Sequence, residues 1–277
     1  LSDPEEKIRL RVLGLARQDR LGSRLDDRCR RLGRHEGTEA GAGIRVDDVS
    51  LTFRGVRTVT ALPTDEAPRF VMLGVKPQKL DEVAPGLAPF VGADTILVSL
   101  LAGVSAATLR QRFPAARAIV RAMPNLPVAQ GLGVTALFSD DDDPSARDIV
   151  EALMTSLGLA PWCEDEAAFS AIGAVAGSGP AYVARFAAAL AQGGATLGLD
   201  PALSRDIAVQ TLIGTAAIAR DGEAMADIAR RVASPNGTTE QGLAVLDAPG
   251  GLQRLVDAML DAAIRRGREL AEAAARG

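Results

Sequence analysis

The chain has 277 residues, which at about 150 residues per domain suggests two domains. Apolar residues at 47% and charged residues at 24% suit a globular protein with a sizeable core and exclude wholesale disorder. The net charge of −4, from 31 basic and 35 acidic groups, argues against a dedicated nucleic-acid binder.

Two cysteines (Cys29 and Cys163) and one histidine (His35) are too few for a disulfide framework or a four-ligand zinc site, and they favour a reducing, cytoplasmic setting. Aromatics at 3% leave little for base stacking. The acidic start, residues 1–7, lacks the basic and apolar regions of a signal peptide. No apolar run is expected to reach the roughly 18 residues of a membrane span.

In chain order, residues 8–15 are strand-like, and residues 17–34 carry seven arginines with little apolar content. From about Val56 short apolar runs alternate with helical segments. Strands are predicted at 56–62, 69–75, within 94–103 and at 117–123, with helices at 78–87 and 105–113. Val/Ile/Leu runs bounded by Gly or Pro suit strands covered on both faces, and their alternation with helices implies βαβ units and a parallel sheet.

The run Asp140–Asp143 is expected to be a solvated loop leading into a helix from Pro144, because four consecutive carboxylates cannot converge on one ion. After about Glu164 Ala, Leu, Arg and Glu dominate. Helices are predicted at 181–199, 201–219, 223–233, 239–246 and 252–275. Such Ala-rich, weakly amphipathic helices must bury against one another or against another subunit. The domains are accordingly 1–164 and 165–277.

Three short stretches are hard to explain as core. Gly177-Ser178-Gly179-Pro180, after Ala176 and before Ala181-Tyr182, reads as a helix entrance whose amides either receive an anion or pack tightly on a neighbour. Ser234-Pro235-Asn236-Gly237-Thr238-Thr239 offers hydroxyls and amides ahead of another helix, suited to a small carboxylate or to simple capping. Met123-Pro124-Asn125-Leu126-Pro127 ends a strand, where open α/β sheets face their ligand crevice.

Together, in this order, these motifs resemble the pyrroline-5-carboxylate reductase family. That family also carries a Val-Lys-Pro turn, matched by Val75-Lys76-Pro77, and an Ala-Ala-Gly strand end, matched in part by Leu101-Ala102-Gly103. The resemblance runs from about Val56 to Leu270.

The resemblance implies an N-terminal Rossmann-like parallel-sheet domain, a C-terminal all-helical dimerisation domain and a homo-oligomer. It also implies NADPH- or NADH-dependent reduction of 1-pyrroline-5-carboxylate to L-proline, the last step of proline biosynthesis. By the same resemblance, Lys76 and Pro77 border the adenosine side of the cofactor, and Ala102, Gly103, Met123, Pro124 and Asn125 line its nicotinamide side. Ser234, Gly237 and Thr238 hold the substrate carboxylate. Thr239 partners the imine nitrogen, and Glu166 falls at an acidic position by the substrate.

Three residues depart from the family pattern: Ala176 for serine, Leu126 for threonine and Asn236 for glycine. Asn suits a position needing positive φ. A larger departure lies at 16–22, Ala-Arg-Gln-Asp-Arg-Leu-Gly, where the family has a Gly-x-Gly-x-Met-Gly turn for the pyrophosphate. Coded AGG-CAA-GAT-CGG-CTC-GGC-AGC, residues 17–23 would read Gly-Lys-Ile-Gly-Ser-Ala one nucleotide later, so residues 16–42 are expected to be out of frame. As written, the chain lacks the pyrophosphate cradle, and weak cofactor binding is expected.

Two other enzyme readings are a β-hydroxyacid-dehydrogenase-like oxidoreductase, disfavoured because no lysine follows Lys79, and an inactive paralogue keeping its dimer scaffold. A nucleic-acid arm at 17–34 is disfavoured by the interleaved Asp19, Asp26 and Asp27.

Overall fold

The computed structural model describes residues 68–276. The predicted strands at 8–15 and 56–62, the arginine-rich stretch and the region expected to be out of frame lie outside the described residues. By contact density the chain divides at 173/174, with residues 174–265 forming the second unit.

The first unit is built on a five-stranded sheet in the order β1 (Phe70–Leu73), β2 (Ile96–Ser99), β3 (Ala118–Pro124), β4 (Gly133–Phe138), β5 (Gly158–Leu159). β1, β2 and β3 are parallel, with Phe70 beside Ile96 and Ile96 beside Ala118. They are joined by α1 (Leu80–Leu87) and α2 (Ala106–Arg112), as the apolar runs between Gly and Pro predicted. β4 pairs antiparallel with β3, Arg121 opposite Phe138, and β5 runs parallel to β4.

Side chains alternate across the sheet. Val71, Leu73, Leu97 and Ile119 pack with Leu80, Leu87, Leu109 and Phe113 on one face. Phe70, Ile96, Val98, Val120 and Leu137 pack with Ala146, Val150 and Met154 of α3 (Pro144–Thr155) on the other.

Short polar residues start the helices where the sequence places them. Ser105 Oγ accepts from the Thr108 amide at the head of α2 (3.1 Å), and Asp143 from the Ala146 amide at the head of α3 (2.9 Å). Asp165 accepts from the Ala168 amide at the head of α4 (Glu166–Ile172; 2.7 Å).

In the second unit, α5 (Gly179–Thr196) and α6 (Pro201–Arg220) form a hairpin, followed by α7 (Met225–Val232), α8 (Thr238–Leu246) and the start of α9 (Leu252–Arg276). Asp200 caps α6 on the amides of Ala202 and Leu203, both at 3.0 Å, with Pro201 in the first turn. Ser204 Oγ donates to the Ala191 carbonyl across the hairpin (2.6 Å). Gly194 makes room for it: a Cβ there would lie 2.2 Å from that oxygen.

One helical run among the described residues, Glu166–Thr196, is 31 residues long and apolar enough to cross a membrane by length and composition. No such run was expected, because glycines and Pro180 break the sequence into shorter pieces. The structure joins α4 and α5 through a wide helical turn at Gly173–Gly177. Pro180 lacks the N–H that a regular helix would use there.

Candidate active site

Parallel strands point the same way, so the segments after β1, β2 and β3 emerge at one edge of the sheet. Lys76 and Pro77 follow β1, Ala102 and Gly103 follow β2, and Met123-Pro124-Asn125 closes β3. The structure therefore gathers all seven residues assigned to the cofactor on a single sheet edge.

Burial stops at that edge. Leu73, Ser99 and Ala122 are buried, whereas Lys76 and Ala102 are exposed and Gly103, Pro124 and Asn125 half-buried. Gly103 has φ 77°, which turns the chain sharply after β2. Gly74 has no atom within 4 Å of where a Cβ would stand. An open edge of mostly small or uncharged residues, with Lys76 as its one cation among the seven, fits the face of a dinucleotide better than it fits a core.

Two of the seven also have structural work. The Asn125 amide donates to the Val134 carbonyl (3.0 Å), and its side-chain Oδ1 accepts from the Val134 amide (2.8 Å), closing the turn at Leu126–Gln130. Met123 packs against the cluster of Ala136, Phe138, Cys163 and Phe169. Leu126, in place of the family threonine, is 80% exposed.

Glu166 opens α4 and is ion-paired with Arg121 of β3. The Arg121 guanidinium also lies 4.3 Å from the centre of the Phe169 ring. Sequence reasoning missed Arg121, although an arginine inside an otherwise apolar strand run was a visible signal. Cys163 nearby is buried, and burial raises its thiol above the usual range.

In the second unit the loop before α8 gathers Ser234, Gly237, Thr238 and Thr239. The Gly237 amide donates to the Ser234 carbonyl (2.9 Å). A Cβ at Gly237 would lie 2.4 Å from Ser234 Oγ, so only glycine fits there. Asn236 has φ 56°, the left-handed conformation for which asparagine suits this position. Its amide donates to Glu240 Oε2 (2.7 Å), which ties the residue before the cap to the first turn of α8.

The Gly177-Ser178-Gly179-Pro180 motif opens a helix as read, with Ser178 at its cap and Pro180 in its first turn. It sits at the wide turn joining α4 to α5, where the Ala181 amide bonds the Ser178 carbonyl (3.0 Å).

Among the described residues no group of His, Cys, Asp and Glu could hold a metal ion. A Rossmann-like sheet with open strand ends, followed by helices carrying exposed apolar side chains, is a plan shared by oligomeric nicotinamide-dependent oxidoreductases, and function must be argued from the site.

A family model described as pyrroline-5-carboxylate reductase dimerisation matches residues 166–270. The pyrroline-5-carboxylate reductase of Pseudomonas aeruginosa is 37% identical over 204 residues, covering 73% of this chain and 74% of that protein. That of Synechocystis is 40% identical over 203 residues, covering 72% and 74%. The solved pyrroline-5-carboxylate reductase of Coxiella burnetii is 33% identical, with a TM-score of 0.70, covering 73% of this chain and 76% of that chain. The chain belongs to the pyrroline-5-carboxylate reductase family.

Proposed function

We propose that this protein, placed in the cytoplasm, reduces 1-pyrroline-5-carboxylate to L-proline with NADPH or NADH. The observation that carries this reading is the convergence of seven family-matched residues on the edge formed by β1, β2 and β3.

In this reading Lys76 and Pro77 border the adenosine side of the cofactor, while Ala102, Gly103, Met123, Pro124 and Asn125 line the nicotinamide side. The bound dihydronicotinamide supplies a hydride. Ser234 and Thr238 hold the substrate carboxylate with their hydroxyls and the Thr238 amide, at the positive end of the α8 dipole, and Gly237, its own amide bonded to Ser234, keeps the loop free of a side chain there. Thr239 bonds the imine nitrogen and fixes which face of the ring is presented.

The protonated imine is already electrophilic. When its carbon accepts the hydride, the C=N π electrons move to nitrogen, and the product amine then takes its proton from solvent. Positioning therefore supplies most of the rate, and no histidine is required. Glu166 acts through Arg121, which already holds its carboxylate.

A second reading rests on residues 16–22. Without the glycine turn, close amide approach to the pyrophosphate is lost, and the enzyme binds its cofactor weakly. One set of assays tests both readings: the purified chain with pyrroline-5-carboxylate and each cofactor, followed by nicotinamide absorbance. Turnover with a raised cofactor KM is expected, and Thr239→Val lowers kcat by about a hundredfold. No turnover even at high cofactor concentration would overturn the reductase reading. Tight dinucleotide binding by calorimetry would overturn the weak-cofactor reading.

A further inference from the structure

A charged side chain sits in a strand that is otherwise apolar, beside Ser99 of β2. Arg121 is 7% exposed on β3, between Val120 and Ala122. Its guanidinium pairs with Glu166 at the head of α4 and lies against the ring of Phe169 one turn later. Cross-strand partners share a face, so Arg121, Met123, Ala136 and Phe138 all point to the side where α4 packs. At Gly173 a Cβ would stand 2.5 Å from Met123 Cε and 3.0 Å from its sulfur, so the β3 end and the end of α4 touch closely. Two residues further, Asn125 is bonded to Val134 in both directions.

Only the arginine end of this pair is buried, Glu166 being half-exposed, and such a pair adds little stability, so stability alone does not account for a guanidinium in the strand. What a guanidinium adds is direction: its planar donors and its stacking on Phe169 fix where α4 sits along β3.

We propose that Arg121 is a positioning residue for hydride transfer, locking the Met123-Pro124-Asn125 end of β3 to α4 through Glu166 and Phe169. This rests on the reading of that strand end as the nicotinamide side. Arg121 acts on that segment from two to four residues away by holding β3 against α4, and small displacements at a reacting centre cost rate steeply.

The test uses the full chain with Arg121→Met and Arg121→Lys. R121M is expected to lower kcat by about ten- to a hundredfold while the KM for pyrroline-5-carboxylate changes little. R121K recovers part of the loss, and it carries the test if R121M does not fold. With cofactor deuterated at the transferred position, the isotope effect on kcat rises in R121M, because hydride transfer becomes the slower step. An unchanged kcat and isotope effect would overturn the proposal.

Asn125→Ala separates the two ideas. If it raises the cofactor KM while the Arg121 variants behave as wild type, this inference alone fails. If neither substitution changes any constant, the nicotinamide-side reading fails with it. Hydrogen exchange probes the same lock without turnover: the Asn125 and Val134 amides should exchange faster in R121M relative to Leu97 and Val98, and equal rates would count against the proposal.

Discussion

Asp143 shows how a single carboxylate can hold several parts of the fold. It caps α3, and its two oxygens accept from Arg117 Nε (2.8 Å) and Nη2 (3.1 Å). Asp141 takes both of its short contacts from Arg110 Nη2 (2.7 and 2.6 Å) and also accepts from the Ile119 amide (2.8 Å). The acidic run expected to be a solvated loop is therefore half structural, because two of its carboxylates meet arginines that only the tertiary fold brings near.

Arg117, followed by the Ala146 amide, holds the Asp143 carboxyl below the usual carboxylate range. A carboxyl depressed in the folded state adds stability that is complete above its unfolded pKa of about 3.9 and is lost as pH falls toward the lower folded value. Thermal melts should therefore fall as acid is added below about pH 4, and Asp143→Asn should lower the neutral-pH melting temperature and flatten that dependence. A variant with the wild-type slope would sink this account.

Elements were legible in proportion to how local their causes are. β1, β2 and β3 are apolar runs between Gly or Pro, and of the helices joining them α2 carries a serine cap, so period and punctuation suffice. β4 (Gly-Val-Thr-Ala-Leu-Phe) was not predicted. A six-residue run with Thr and Ala is ambiguous, and its antiparallel direction is decided by the tight turn closed by Asn125. β5 is two residues long and exists only through pairing.

The pairing of β4 with β5 depends on Gly158, whose φ is 135° and where a Cβ would lie 2.1 Å from the Gly133 carbonyl. Gly158→Ala should destabilise the first unit by more than about 1 kcal/mol, read by denaturant unfolding. The motif at Gly177–Pro180 was legible as special, but its form as a wide turn inside one long helix was not, because that depends on α4 and α5 being joined.

On the scale of the whole molecule, the second unit cannot account for its own stability. Only Ala174, Ser204, Ala208 and Ile228 are buried among residues 174–265. Leu197 is 88% exposed and Val245 72%. So much exposed apolar side chain is the surface of an interface, and it agrees with the dimerisation model matched at 166–270. Folding and association are then coupled, so the thermal midpoint should rise with protein concentration. A midpoint independent of concentration over a wide dilution series would show that each chain stands alone.

From residue types and order came the α/β plan, a helical second half and the short motifs, while the family and the dimerisation role came from the resemblance those motifs carry. The plan and the motifs depend on local period, caps and turn residues, which act between near neighbours. The tertiary structure decided which acidic groups are committed: Glu166 to Arg121, Asp141 to Arg110 and Asp143 to Arg117. It also decided that the three strand-end motifs share one edge. Those pairings depend on residues 26, 31 and 45 positions apart being folded against each other, and no local signal encodes such a meeting.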